Sequence, residues 1–140
     1  MPYVNVFIHF VWSTKNRHPF LETVDLRRVV WQHIAENARR KEILVDIVGG
    51  YSDHCHCLLA LGTNQNISTI IQLLKGESSY WINKNSLCRQ KFAWQEHYYG
   101  TAVSENDLPQ VRNYIKDQES HHQLTTFQQE CEDFLKMYGS

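Results

Sequence analysis

Between positions 3 and 13 the chain alternates. Val4, Val6, Ile8, Phe10 and Trp12 fall on one side and Tyr3, Asn5, Phe7, His9 and Val11 on the other, the period of a strand with one face in a core. The period then changes. Over 22–41, Leu26, Val30, Ile34 and Ala38 recur at helical spacing and leave Arg27, Arg28, Glu36, Arg39 and Arg40 for solvent, which predicts an amphipathic helix. Two apolar runs, 43–51 and 54–62, are separated by Ser52-Asp53 and read as a tight antiparallel hairpin. A second helix is expected over 66–84 from the stripe Ile67, Ile70, Ile71, Leu74, Ser78 and Trp81, with Gly76 as its weak point. The stretch 92–104 is aromatic-rich and strand-like. A third helix is expected from about 106 to 122, with Pro109 tolerated in its first turn, and a short last one over 126–137, ended by Gly139.

The order strand, helix, strand, strand, helix, strand predicts an α+β sandwich of ferredoxin-like (RRM-like) type, one antiparallel sheet with two helices on one face. The third helix lies outside that unit, free to cross the open face of the sheet or to reach a neighbouring molecule. A length of 140 residues fits one domain over 1–140. Hydrophobic content of 42% and charged content of 21% are those of a globular protein, and no run reaches the roughly 18 apolar residues of a membrane span. The N-terminus enters strand-like alternation without a basic leader, so the cytosol is the expected location and no membrane partner is expected. Cys55, Cys57, Cys88 and Cys131 lack zinc-ribbon spacing and are expected as reduced thiols.

Net charge is −1, but residues 1–91 hold 11 Lys+Arg against 7 Asp+Glu, and residues 92–140 hold 3 against 8. The basic part is either a set of solvated helix faces or a track for a phosphate backbone.

Two patterns carry chemistry. In the strand-like run His54-Cys55-His56-Cys57 the two imidazoles point to one face and the two thiols to the other. Imidazoles two residues apart can share a metal, and an open site completed by oxygen ligands suits a Lewis acid acting on a phosphate; the plainer alternative is a pair of half-exposed surface histidines. In the third helix Tyr114 and Gln118 are four apart on one stripe, which His122 continues. Gln118 could supply an oxygen ligand to a metal on the histidine pair, and Tyr114 a phenol nucleophile. His9, opposite the apolar set of its strand, is a candidate contact to these ligands or to a phosphate. Tyr98 and Tyr99 are competing phenols in a core or stacking context.

These residues resemble the small single-tyrosine transposases of the HUH superfamily (histidine, hydrophobic residue, histidine), including their REP-associated relatives. The resemblance rests on 9–17 (His-Phe-Val-Trp-Ser-Thr-Lys-Asn-Arg), 50–59 around His54 and His56, 74–79 (Leu-Lys-Gly-Glu-Ser-Ser), 92–95 (Phe-Ala-Trp-Gln) and 114–122, from Tyr114 through Gln118 to His121 and His122, with Thr126-Phe127 beyond. Cys55 departs from the aliphatic residue usual between the histidines, and buried cysteine behaves as a small hydrophobe. The resemblance implies that His54, His56 and Gln118 bind Mg²⁺ or Mn²⁺ and that Tyr114 attacks single-stranded DNA, leaving a 5′-phosphotyrosine and a free 3′-hydroxyl. It further implies recognition of DNA hairpins and a homodimer whose active sites can be shared between chains. Lys15, Arg17, Lys75, Lys84, Arg89 and Lys91 are candidates for backbone contacts, and Trp94 or Tyr98 for base stacking. Two other readings stay open: a domesticated hairpin-binding module without transposition, and a metal-dependent hydrolase using water in place of Tyr114.

Overall fold

Polar caps set where the two long helices begin. The Thr23 hydroxyl accepts the Leu26 N–H at 3.1 Å at the head of α1 (Val24–Arg40), and the Asn66 side-chain oxygen accepts the Thr69 N–H at 3.1 Å at the head of α2 (Ile67–Lys84). In the computed structural model, which describes residues 4–121, these helices alternate with strands β1 (Phe7–Ser13), β2 (Leu44–Tyr51), β3 (His54–Ala60) and β4 (Tyr99–Val103). Two further helices follow, α3 (Leu108–Lys116) and α4 (Gln118–His121). The sheet is antiparallel in the order β2-β3-β1-β4. That is the ferredoxin-like α+β order expected from the pattern of elements.

One core lies between the sheet and the helix pair. Ile8, Phe10, Trp12, Cys55, Cys57 and Leu59 meet Val30 and Ile34 of α1 and Ile70, Ile71 and Leu74 of α2. The Cys55 and Cys57 thiols are free and face this core, as the alternation required. A second cluster, Leu58, Val103, Leu108, Val111 and Ile115, covers the opposite face. Each such side chain contributes roughly 1.5–3 kcal/mol by burial, so α3 is bound across the face that a two-helix sandwich leaves open. Its approach depends on Gly49 in β2, where a Cβ would stand 2.8 Å from the Ile115 carbonyl oxygen. Arg112 of α3 adds an ion pair at 2.7 Å to Asp46, the residue at the register shift between Val45 and Ile47 in β2.

Several expectations are corrected. β1 begins at Phe7, and both its faces are covered, the second by α3. The expected strand over 92–104 is reduced to β4 and a lone bridge between Thr14 and Trp94. The intervening segment leaves the sheet because the Lys75 ammonium gathers the carbonyls of Gln95, of Glu96 at 3.0 Å and of His97 at 3.4 Å. Lys75 is therefore a structural clasp on the helix side of the sheet, where burial lowers its pKa and Glu96 opposes that shift. Trp94 is also withdrawn from the surface, edge-on to Trp12 and Phe92 with its indole N–H on the Ser78 hydroxyl at 2.9 Å. The third helix stops at Lys116, where the Asp117 N–H caps the Asn113 carbonyl at 2.9 Å, and the chain restarts as α4. His122, Cys131 and the expected helix over 126–137 lie outside the described residues. Among the described residues, no helix is long and apolar enough to cross a membrane.

Candidate functional site

The register of the sheet builds the site. Laterally paired residues share a face, and two rows cross the face under α3: Gly49, His56, Val11 and Tyr99 in one, Tyr51, His54 and Ser13 in the other. His54 and His56 thus stand side by side, ring centroids 5.2 Å apart, and both are fully buried. The half-exposed surface pair is excluded. His9, on the same face of β1, is also fully buried, with Nε2 at 2.9 Å from His56 Nδ1.

The helix break brings in the other two groups. Tyr114, on the last turn of α3, lays its ring edge-on against His56 at 5.5 Å and against His9 at 6.3 Å between centroids. Gln118 opens α4, and its carboxamide N–H donates to the Tyr114 carbonyl at 3.3 Å. That bond orients the amide. Its oxygen, Oε1, therefore faces His54 Nε2 at 3.1 Å. On the far side of the same ring, His54 Nδ1 is 2.8 Å from the Asp53 carboxylate, which places a proton on Nδ1. A neutral His54 protonated on Nδ1 would turn its Nε2 lone pair toward Gln118 Oε1. An electrophile between them, a second proton or a metal cation, resolves that contact.

The sequence pattern named His54, His56, Tyr114, Gln118 and His9, and the fold brings these five side chains together. It missed Asp53, although an acidic residue in the turn beside His54 was a readable signal. It also missed a buried anchor and placed Arg27 at solvent. Arg27 is 5% exposed, and its guanidinium grips Glu119, Nε to Oε1 and Nη2 to Oε2, both at 2.7 Å. It also donates to the Leu21 carbonyl at 2.7 Å and lies 4.6 Å from the Tyr51 ring centroid. Glu119 follows Gln118, so this pair fastens α4 to α1 next to the site. The signal was spacing: Arg27, Val30 and Ile34 form one stripe.

Lys15 and Arg17 form an exposed turn at the end of β1, in which Asn16 and Arg17 have φ of 57° and 53°. Buried Thr14 holds the base of that turn, its hydroxyl donating to the His18 carbonyl at 2.7 Å. Lys75 and Trp94 are not part of the site, and His121 ends α4.

Known proteins share this arrangement of chain. The sequence model of the family described as "Transposase IS200 like" matches residues 3–118. The ISDra2 transposase TnpA of Deinococcus radiodurans is 30% identical over 118 residues, covering 79% of this chain and 81% of that protein. Two solved structures have the same fold. A candidate transposase from Deinococcus radiodurans R1 aligns with TM-score 0.66 and 23% identity over 84% of this chain and 95% of its own. A REP-associated tyrosine transposase bound to a REP hairpin aligns with TM-score 0.63 and 17% identity over 87% and 72%. The family match across nearly all the described residues, joined to this fold, makes the chain a member of the IS200-like transposase family.

Proposed function

We propose that this transposase cleaves and rejoins single-stranded DNA through Tyr114, at a site completed by a divalent metal on His54, His56 and Gln118. The observation that carries the reading is the 3.1 Å contact between His54 Nε2 and Gln118 Oε1, with His54 Nδ1 on the Asp53 carboxylate and the Gln118 amide N–H donating to the Tyr114 carbonyl. Two imidazole nitrogens with one carboxamide oxygen suit a first-row divalent ion such as Mn²⁺ better than the oxygen-preferring Mg²⁺, with open positions left for substrate. When bound, such an ion would neutralise charge on a phosphate oxygen. It needs His56 with a bare Nε2, hence a proton on Nδ1 donated to His9 Nε2.

The chain's own part is nucleophile and position. The Tyr114 oxygen, having lost its proton, forms a bond to phosphorus as the bond from phosphorus to the 3′-oxygen breaks; the released 3′-oxygen takes up a proton. The 5′ end of the downstream strand stays on the tyrosine as a phosphodiester, so reversal by another 3′-hydroxyl rejoins DNA without an external energy source. Likeness to a transposase bound to a REP hairpin supports hairpin-flanked ends as the substrate. A homodimer is part of this reading, and the four groups also lie together within one chain.

The test is the chemical state of the cut ends. Incubation with labelled single strands from the flanks of the gene should give an upstream fragment that a polymerase extends and a downstream fragment retained on the protein. A free 5′-phosphate on the downstream fragment from the earliest times would instead show hydrolysis.

A further inference from the structure

Beyond the metal and the tyrosine, the sheet opens between β1 and β4 at the end of the row that holds His56. The β1–β4 ladder ends at the pair Val11 and Tyr99, and the chain rejoins β1 only at the Thr14–Trp94 bridge, beside the Gln95 N–H to Ser13 carbonyl bond of 2.9 Å. Between these points lies a groove of about 620 Å³ whose walls include Val11, Trp12, Arg17, Gln95, Tyr98 and Tyr99.

Three observations give the groove a ligand. Tyr98 and Tyr99 are 37% and 57% exposed, Tyr99 opposite Val11 on the face of His56 and Tyr98 edge-on to Phe10 on the helix side, centroids 6.0 Å apart. Trp12, in the wall, keeps its indole N–H buried without a hydrogen-bond partner among the described residues. The turn that brings Arg17 to the rim is held at positive φ in two successive non-glycine residues, a conformation that costs free energy and concentrates at functional sites. Aromatic faces beside a guanidinium suit a base and its phosphate. Position makes the match specific: Tyr99 sits in the same lateral row as His56, two strands away through Val11, or about 10 Å at ordinary strand spacing.

We propose that this groove binds one unpaired base of the DNA strand, adjacent to the phosphate attacked by Tyr114, by stacking on Tyr99, with Tyr98 closing the groove from the helix side and Arg17 on the flanking phosphate. It makes the groove a specificity site for the sequence at the cut. The inference rests on the proposed cleavage function for the position of the base, and only for that.

The test uses the full chain with Tyr114→Phe and single strands from the gene's flanks, carrying 2-aminopurine at successive positions. Emission of this base falls when it stacks. Quenching should peak at one position next to the cut, and Tyr98→Ala/Tyr99→Ala should remove the peak and weaken binding about tenfold, with Tyr98→Phe/Tyr99→Phe restoring both. Circular dichroism of the alanine variant confirms its fold, and Arg17→Ala should weaken binding with a smaller salt slope. Quenching spread evenly along the strand, or a peak unchanged in the alanine variant, overturns the proposal. A peak that depends on the tyrosines in a protein whose parent forms no adduct would leave the groove assigned and refute the cleavage reading.

Discussion

His9 Nε2 and His56 Nδ1 are 2.9 Å apart in a part of the sheet where both rings are fully buried. One proton serves that contact, so the tautomer of His9 and that of His56 are set together. If His56 binds a metal through Nε2, its Nδ1 carries the shared proton and His9 is the acceptor that fixes the ring.

His9→Ala should therefore lower Mn²⁺ affinity about 10- to 100-fold while the melting transition stays cooperative. His9→Gln, which keeps an acceptor, should recover part of the loss. Calorimetric titration of Mn²⁺ reads both, and parental affinity in His9→Ala would remove His9 from this role.

Asp53→Asn tests the other orienting bond. The amide cannot hold His54 by a charged acceptor as the carboxylate does at 2.8 Å, and metal affinity should fall by a comparable factor. An unchanged affinity would show that Asp53 serves only the turn.

The anchor at Arg27 should behave as a buried pair broken from one side. Arg27 is almost wholly covered, whereas Glu119 is about one-third exposed, with side-chain exposures of 6% and 35%. Glu119→Ala should cost roughly 2–3 kcal/mol, at or below the usual range for leaving a buried charge unpaired. Removing both charges as Arg27→Met/Glu119→Met should cost less than the sum of the single changes. Urea denaturation measures all of these.

Burial in the helix-side core pushes the Cys57 thiol up to about 12 and Cys55 well above its ordinary value, with Cys57 adding to the shift on Cys55. Above about pH 9 the unfolded chain releases these protons while the folded chain keeps them. Stability is therefore complete below pH 9 and declines from there towards pH 12, by about 1 kcal/mol per pH unit for each thiol. Denaturation midpoints measured across that window should fall, and Cys55→Ala/Cys57→Ala should flatten the decline.

The sheet order and the His54/His56 pair were legible because strand alternation and lateral pairing are local rules that tertiary contacts here reinforce. Arg27 was misread because its charge outweighed its place on the apolar stripe, and the partner that neutralises it, Glu119, is 92 residues away in sequence. Lys75 was misread for the related reason that a lysine offers no sign in sequence of whether it faces phosphates or main-chain carbonyls. The end of α3 was hidden because nothing after Pro109 in that segment is a strong helix breaker; a side-chain bond from Gln118 to the Tyr114 carbonyl accompanies the break. That break turns Gln118 onto His54, a long-range consequence no periodicity reports.

The central claim is that Tyr114 is the nucleophile of a metal-dependent cleavage. Its most direct test is a denaturing gel of the protein incubated with labelled single strands from the gene's flanks, in Mn²⁺, in Mg²⁺ or in chelator, with peptide mass spectrometry of any shifted band. The expected result is an adduct that needs the metal, maps to Tyr114 and disappears in a folded Tyr114→Phe variant. An adduct mapped to Tyr98 or Tyr99, or cleavage that Tyr114→Phe leaves intact, would contradict the account.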